Sequence, residues 1–192
     1  MPPEQSRGAL KFLRSEPATA SRREAPVVAK EKPMKLITQA ALGEMMERAG
    51  ASPRRRTHHN LHEVAEDPIQ RLFVAAQRDS YFRAHRHAHK WECSVVLRGL
   101  FDVLIFDDEG AVQQRISVGP EADIVAFEIP ANTWHAWLPL RDDSLFFEIK
   151  SGPYDPQTAA EPAAWAPAEG TPEVAAFVER LRTAQVGDRI VP

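Results

Sequence analysis

Cysteine is nearly missing from this chain, with Cys93 the only one among 192 residues. No intrachain disulfide can form, so a disulfide-stapled scaffold is excluded and a reducing compartment is the expectation. Long apolar runs are missing too: none reaches the roughly 18 residues that a membrane span requires. The N-terminus carries basic residues without a continuous apolar stretch, which argues against a secretory signal. Charge of one sign is not in excess either. A net charge of −3 leaves no broad basic surface, so neither nucleic acid nor a membrane is an expected partner. A cytoplasmic protein with one sizeable core fits these limits.

Proline is plentiful at the start of the chain. Pro2, Pro3, Pro17, Pro26 and Pro33 punctuate a stretch of Arg, Lys, Glu, Ser and Ala without sustained periodicity. Such a segment buries too little apolar surface to offset its ordering entropy. Residues 1–33 are therefore expected to be a disordered tail, and 34–192 a single domain. Met34-Lys35-Leu36 opens the ordered pattern, making Met34 a candidate start codon on composition alone. Limited proteolysis is expected to trim the tail without changing melting temperature or metal content. A tail protected from cleavage would contradict this.

Thr38 can cap a helix over 39–49, with Leu42, Met45, Met46 and Ala49 on one stripe and Gly50 as the stop. Ser52-Pro53-Arg54-Arg55-Arg56 reads as a basic turn, more often solvated than a phosphate site, and the polar cluster 57–62 follows. Short strands then recur at 69–76, 81–87, 92–97, 101–106, 112–118, 124–129, 134–138 and 145–150. Asp107-Asp108-Glu109-Gly110, Gly119-Pro120 and Arg141-Asp142-Asp143-Ser144 supply turns between them. Even spacing of many short strands, with no helical pattern between them, points to a sandwich or jelly-roll barrel. A proline- and alanine-rich strap then carries Trp165 back across the sheet. A final helix over 172–184 presents Val174, Phe177, Val178 and Leu181 on one face.

Chemistry is concentrated in His85-Arg86-His87-Ala88-His89-Lys90-Trp91-Glu92. Imidazoles at i and i+2 on a strand project to the same face, and Glu92 meets them if the chain reverses in between. His135, in Pro130-Ala131-Asn132-Thr133-Trp134-His135, heads another apolar run. Three imidazoles and a carboxylate suit a divalent cation with positions left for water or ligand. A lone His-x-His is more often surface decoration; the company of Glu92, Gly99 and His135 is what favours a metal. His89 shares strand parity with His87 and competes with it, but the spacing to Glu92 favours His85 and His87.

As spacing, His85-x-His87-x4-Glu92-x6-Gly99 resembles the first motif of the cupin superfamily, with Asp79 where that motif begins with glycine. The second motif is matched in part. Pro130 and His135 stand in place, while Ile124, Asn132 and Pro139 replace a glycine, a glycine and an asparagine. Asn tolerates a left-handed backbone, so the turn before His135 should survive. The resemblance implies an all-β cupin-type jelly-roll barrel (a double-stranded β-helix) with a short N-terminal helix and a C-terminal helix. It also implies the metal ligands His85, His87, Glu92 and His135. Asn60-Leu61-His62, Asp67-Pro68-Ile69-Gln70-Arg71, the histidine segment, 147–156 and Trp165-Ala166-Pro167 together resemble the WbuC family of cupin-fold metalloproteins. That family is associated with bacterial O-antigen gene clusters, and the resemblance supplies no reaction.

Around the metal, Glu148 and Lys150 share parity on the last strand. Glu148 is a candidate general base; a rim salt bridge is the plainer reading. Asn60, His62, Arg83, His89 and Tyr154 are further candidates for the ligand pocket, and Arg71 or Arg83 could hold a carboxylate or phosphate. Trp134 and Trp137 lie on opposite faces of one strand. Expected is a divalent ion (iron, manganese, nickel or zinc) and a small-molecule ligand, with a homodimer left open. A metal-dependent enzyme, a ligand-binding module and a dioxygenase all use these residue types.

Overall fold

The computed structural model describes residues 33–190. The expected tail, Pro33 apart, lies outside the described residues. Helix α1 spans Gln39–Ala51, and Thr38 caps it: its Oγ1 accepts from the Ala41 N–H at 3.1 Å. Leu42, Met45, Met46 and Ala49 form its buried stripe. The stop differs from expectation. Gly50 lies within the helix, and Ser52 ends it with an extended backbone (ψ 137°), the conformation that a following proline imposes.

Ten strands follow among the described residues: β1 Arg56–Asn60, β2 Ile69–Ala76, β3 His85–Arg86, β4 Glu92–Arg98, β5 Phe101–Phe106, β6 Val112–Val118, β7 Ala126–Ile129, β8 Trp134–Pro139, β9 Ser144–Ser151 and β10 Glu161–Pro162. Helix α2 spans Glu173–Thr183. Two five-stranded sheets form, ordered β1-β2-β9-β4-β7 and β10-β3-β8-β5-β6. The ladders between these strands are antiparallel.

Alternation along the strands builds three apolar clusters. Val74, Val96, Phe101, Val103, Trp137 and Phe146 fill the space between the sheets. The opposite faces of β2 and β9 give Phe73, Ala75 and Leu145 to the stripe of α1. Leu104, Trp134, Ala136 and Leu138 lie under Phe177, Val178 and Leu181 of α2. All six residues of β8 are buried, because this strand has an apolar partner on each side. Trp134 and Trp137 do fall on opposite faces, in separate clusters.

Gly99 turns the chain between β4 and β5 at φ +72°, and a Cβ there would lie 2.1 Å from Ser144 Oγ. Left-handed strain and overlap combine, so Gly99→Ala is expected to cost about 2 kcal/mol or more. A fall in melting temperature of roughly 4–8 °C should follow, and an unchanged melting temperature would contradict it.

Three expectations change. The strand expected over 81–87 contracts to His85–Arg86, because side chains rather than a ladder hold its first half. Tyr81 Oη donates to Pro167 O at 2.9 Å, and Arg83 donates to Ala166 O and Ala163 O at 3.1 and 3.2 Å. The strand expected over 124–129 begins at Ala126. The polar segment at 56–60, read as turn and polar cluster, is strand β1, paired with β2 from Arg56↔Ala76 to Asn60↔Leu72.

Candidate metal centre

His85 lies directly across from His135 where β3 meets β8, and Glu92 opens β4 in the facing sheet. His87 follows β3 in the turn, its carbonyl accepting from the Asn132 N–H at 2.7 Å. Asn132 itself takes φ 62°, the left-handed turn for which Asn is suited. These elements bring His85, His87, Glu92 and His135 together, one ligand atom of each lying within 4.8 Å of the others. His87, Glu92 and His135 are buried.

Each ring is oriented by a backbone carbonyl on its Nδ1. His85 Nδ1 meets Arg83 O at 2.9 Å, His135 Nδ1 meets Thr133 O at 2.9 Å, and His87 Nδ1 meets Ala159 O. A carbonyl only accepts, so Nδ1 carries the proton in each ring and Nε2 is left with a free lone pair. For two rings that lone pair faces a carboxylate. His87 Nε2 lies 2.8 Å from Glu92 Oε1, and His135 Nε2 lies 3.0 Å from Oε2. Neither nitrogen has a hydrogen-bond partner. Two acceptors this close repel unless a cation lies between them. Donors about 2.1 Å from one first-row ion and at right angles stand about 3.0 Å apart, so the spacing fits such an ion.

Electrostatics agree. Burial, aided by the neighbouring His135, lowers the His85 pKa to about 3 and keeps the ring a neutral donor. Burial alone would raise the Glu92 carboxyl. The positive charge of the Lys150 ammonium, 2.9 Å away, opposes it and lowers the carboxyl.

A cavity of about 440 Å³ opens onto His85 and Glu92. Leu72, Val74, Phe82, Trp137 and Phe146 give it an apolar wall. Glu148 and Lys150 also line it, sharing inward parity with Phe146. Lys150 Nζ bridges the two acids, 2.6 Å from Glu148 Oε1 and 2.9 Å from Glu92 Oε1. Burial, then the charge of Glu92, raises the Glu148 pKa against the opposing pull of Lys150. Lys150 is raised as well, because its two carboxylates outweigh burial.

Asn60, His62 and Tyr154 stand at the cavity, and His62 Nδ1 accepts from the Arg71 N–H at 3.1 Å. Arg83 and His89, expected in the pocket, are not among its lining residues. Arg83 spends its guanidinium on the strap carbonyls. His89 lies in the turn after β3, exposed, because strand parity ends before it. Arg71 is exposed beside Asp67. Arg54, Arg56 and His58 line the cavity, which the sequence reading missed. Arg54 makes a two-point pair with Glu169 at 2.7 and 2.8 Å, and Arg56 stacks over Phe82 at 4.8 Å. Their spacing of two with Asn60, polar along one strand face, was the signal available.

A model of a domain of unknown function (DUF6016) matches residues 37–118, less than half of the chain. No curated protein matches. Among solved structures, the chain is similar to KdgF from Halomonas sp. at 22% identity, over 55% of this chain and 84% of that one, with a TM-score of 0.43. It is similar to CapF, solved with the inhibitor 3-isopropenyl-tropolone, at 18% identity over 57% of this chain and 32% of that one, with a TM-score of 0.48. The cupin domain of Schizosaccharomyces pombe Cnp3 gives 9% identity over 50% and 64%, with a TM-score of 0.42. No activity is carried over from these likenesses. By its own strand topology and the placement of its three histidines and Glu92, the chain folds as a cupin-type jelly roll with a candidate metal site.

Proposed function

We propose that this protein is a metal-dependent enzyme acting on a small hydroxy- or carboxylate-bearing, sugar-like substrate. One observation carries the reading. Three rings have Nδ1 already engaged, and two of them, His87 and His135, place Nε2 against Glu92 beside a cavity that also holds a second carboxylate, Glu148. The mixed nitrogen and oxygen donor set suits iron, manganese, nickel or zinc held by His85, His87, Glu92 and His135. A bound ion would supply Lewis-acid polarisation of a ligand oxygen.

The chain's own residues do the rest. Glu148, its pKa raised by burial, is a better proton acceptor than an ordinary carboxylate and takes the proton of a substrate hydroxyl. Lys150 stays an ammonium paired with both Glu92 and Glu148. The Trp137 and Phe146 side of the cavity faces the C–H surface of the ligand and excludes water. Asn60, His62 and Tyr154 offer hydrogen bonds at the rim. The motif resemblance to the WbuC family extends this reading to surface polysaccharide (O-antigen) metabolism.

A second reading has its own support. A carboxylate already 2.6 Å from an ammonium is partly neutralised as a base, which favours a module that holds its ligand without turning it over. The deciding experiment is metal analysis of protein from its native source, followed by a screen of nucleotide sugars, free sugars and small hydroxy acids against the metal-loaded chain. Near-stoichiometric metal with turnover of one class supports the enzyme. Metal with a thermal shift but no turnover supports the module. Protein that takes up no first-row metal sinks both.

A further inference from the structure

The strand that carries His85 and leads directly into His87 is only two residues long. On one side it meets β8 through the single pair His85↔His135. On its other side the strap that follows β9 pairs with it, Glu161↔Arg86 and Pro162↔His85. Several contacts fasten that strap. Arg86 makes a two-point pair with Glu161, both bonds at 2.9 Å, and its guanidinium lies 4.3 Å over the Trp134 ring. The Ala163 N–H donates to Ala84 O at 2.9 Å. Arg83 grips the carbonyls of Ala163 and Ala166, while its own carbonyl receives His85 Nδ1. The strap also supplies Ala159 O to His87 Nδ1, across 72 positions of sequence.

The three rings differ in one respect. His85 and His135 use carbonyls two residues away on their own segments, so strand geometry sets them. His87 depends on a carbonyl from a distant part of the chain, and that carbonyl is in place only while the strap is docked. We propose that the strap is the positioning element of the metal centre. Through Ala159 O it selects the proton-bearing nitrogen of His87, and the Arg86–Glu161 pair holds the strap where it can do so. This rests on the metal-binding reading above. Outer partners of ligating imidazoles are worth roughly 10–100-fold in metal affinity, a leverage here placed on a surface ion pair.

The test uses the full-length chain and Glu161→Ala, a substitution at an exposed residue that touches no ligand. Cobalt(II) affinity is measured by competition with a chelator, and ring tautomers of the metal-free protein by nitrogen-15 NMR at a pH where the rings are neutral. The parent chain is expected to show His87 with its proton on Nδ1. In Glu161→Ala, His87 should become a mixture of tautomers while His85 and His135 keep theirs, and cobalt affinity should fall roughly 10–100-fold. Arg83→Met, which frees the strap at its other end, should act in the same direction.

A merely structural role would lower the melting temperature and leave the His87 tautomer and the affinity alone, which would overturn the proposal. If the parent chain binds no cobalt, the metal reading fails. The tautomer of His87 in the metal-free pair of proteins then still decides the strap's role.

Discussion

His87→Ala is expected to strip the chain of most of its bound metal, while His89→Ala leaves metal content close to that of the parent. His87 Nε2 points at Glu92 Oε1 from 2.8 Å inside a buried cluster, whereas His89 is exposed and outside the cavity. Losing a direct ligand should cost more than the roughly 10–100-fold that loss of an outer partner costs. Elemental analysis after gel filtration in metal-free buffer reads the result. Metal retained by His87→Ala and lost by His89→Ala would transfer the site to the other register of the histidine segment. Falling pH should release metal from the parent too, since the ligating nitrogens and Glu92 bind a cation only when deprotonated.

Glu148→Gln is expected to keep fold and metal while turnover of the true substrate falls by roughly 10²–10⁴-fold, the usual contribution of a positioned base. The substitution is nearly isosteric, and Lys150 keeps Glu92 as a partner at 2.9 Å. The pH profile adds a second readout. A base acts only when deprotonated, so activity should rise with pH through the Glu148 pKa. Because that pKa is raised, the rise should lie at higher pH than for an ordinary glutamate and vanish in Glu148→Gln. If the protein only binds its ligand, the same substitution should shift affinity by no more than about 1 kcal/mol. A Glu148→Gln protein with undiminished turnover would remove Glu148 from the chemistry.

Legibility in the sequence followed the source of order. β2, β5 and β6 read at their full bounds, because apolar residues and turn signals mark them directly. The stripe and cap of α1 were legible for the same local reasons, and only its end was displaced by Pro53. β1 was hidden because its inward side faces a polar cavity, so Arg56, His58 and Asn60 carry no apolar alternation. β10 has two residues and owes its place to Arg86 and Arg83, far away in sequence. At the candidate site, the spacing of His85, His87 and Glu92 named residues that the fold brings together. The carbonyl on each ring was invisible, since main-chain acceptors have no sequence signature. Arg83 and His89 went astray because parity was extended beyond both ends of a strand that begins at His85 and stops at Arg86.

β8 has no free face, and this gives the two sides of the candidate centre different lifetimes. Amide protons around His135, clamped between the interior cluster and α2, should exchange with solvent only when the whole chain unfolds. Those around His85 and His87, on and just after a two-residue strand that pairs on one side with the equally short β10, can exchange through a smaller local opening. The donor set would then open from one side: His135 and Glu92 keep their places while the histidine segment swings away. The lifetime of the assembled donor set is thus set by the loosest strand of the barrel rather than by the stability of the fold.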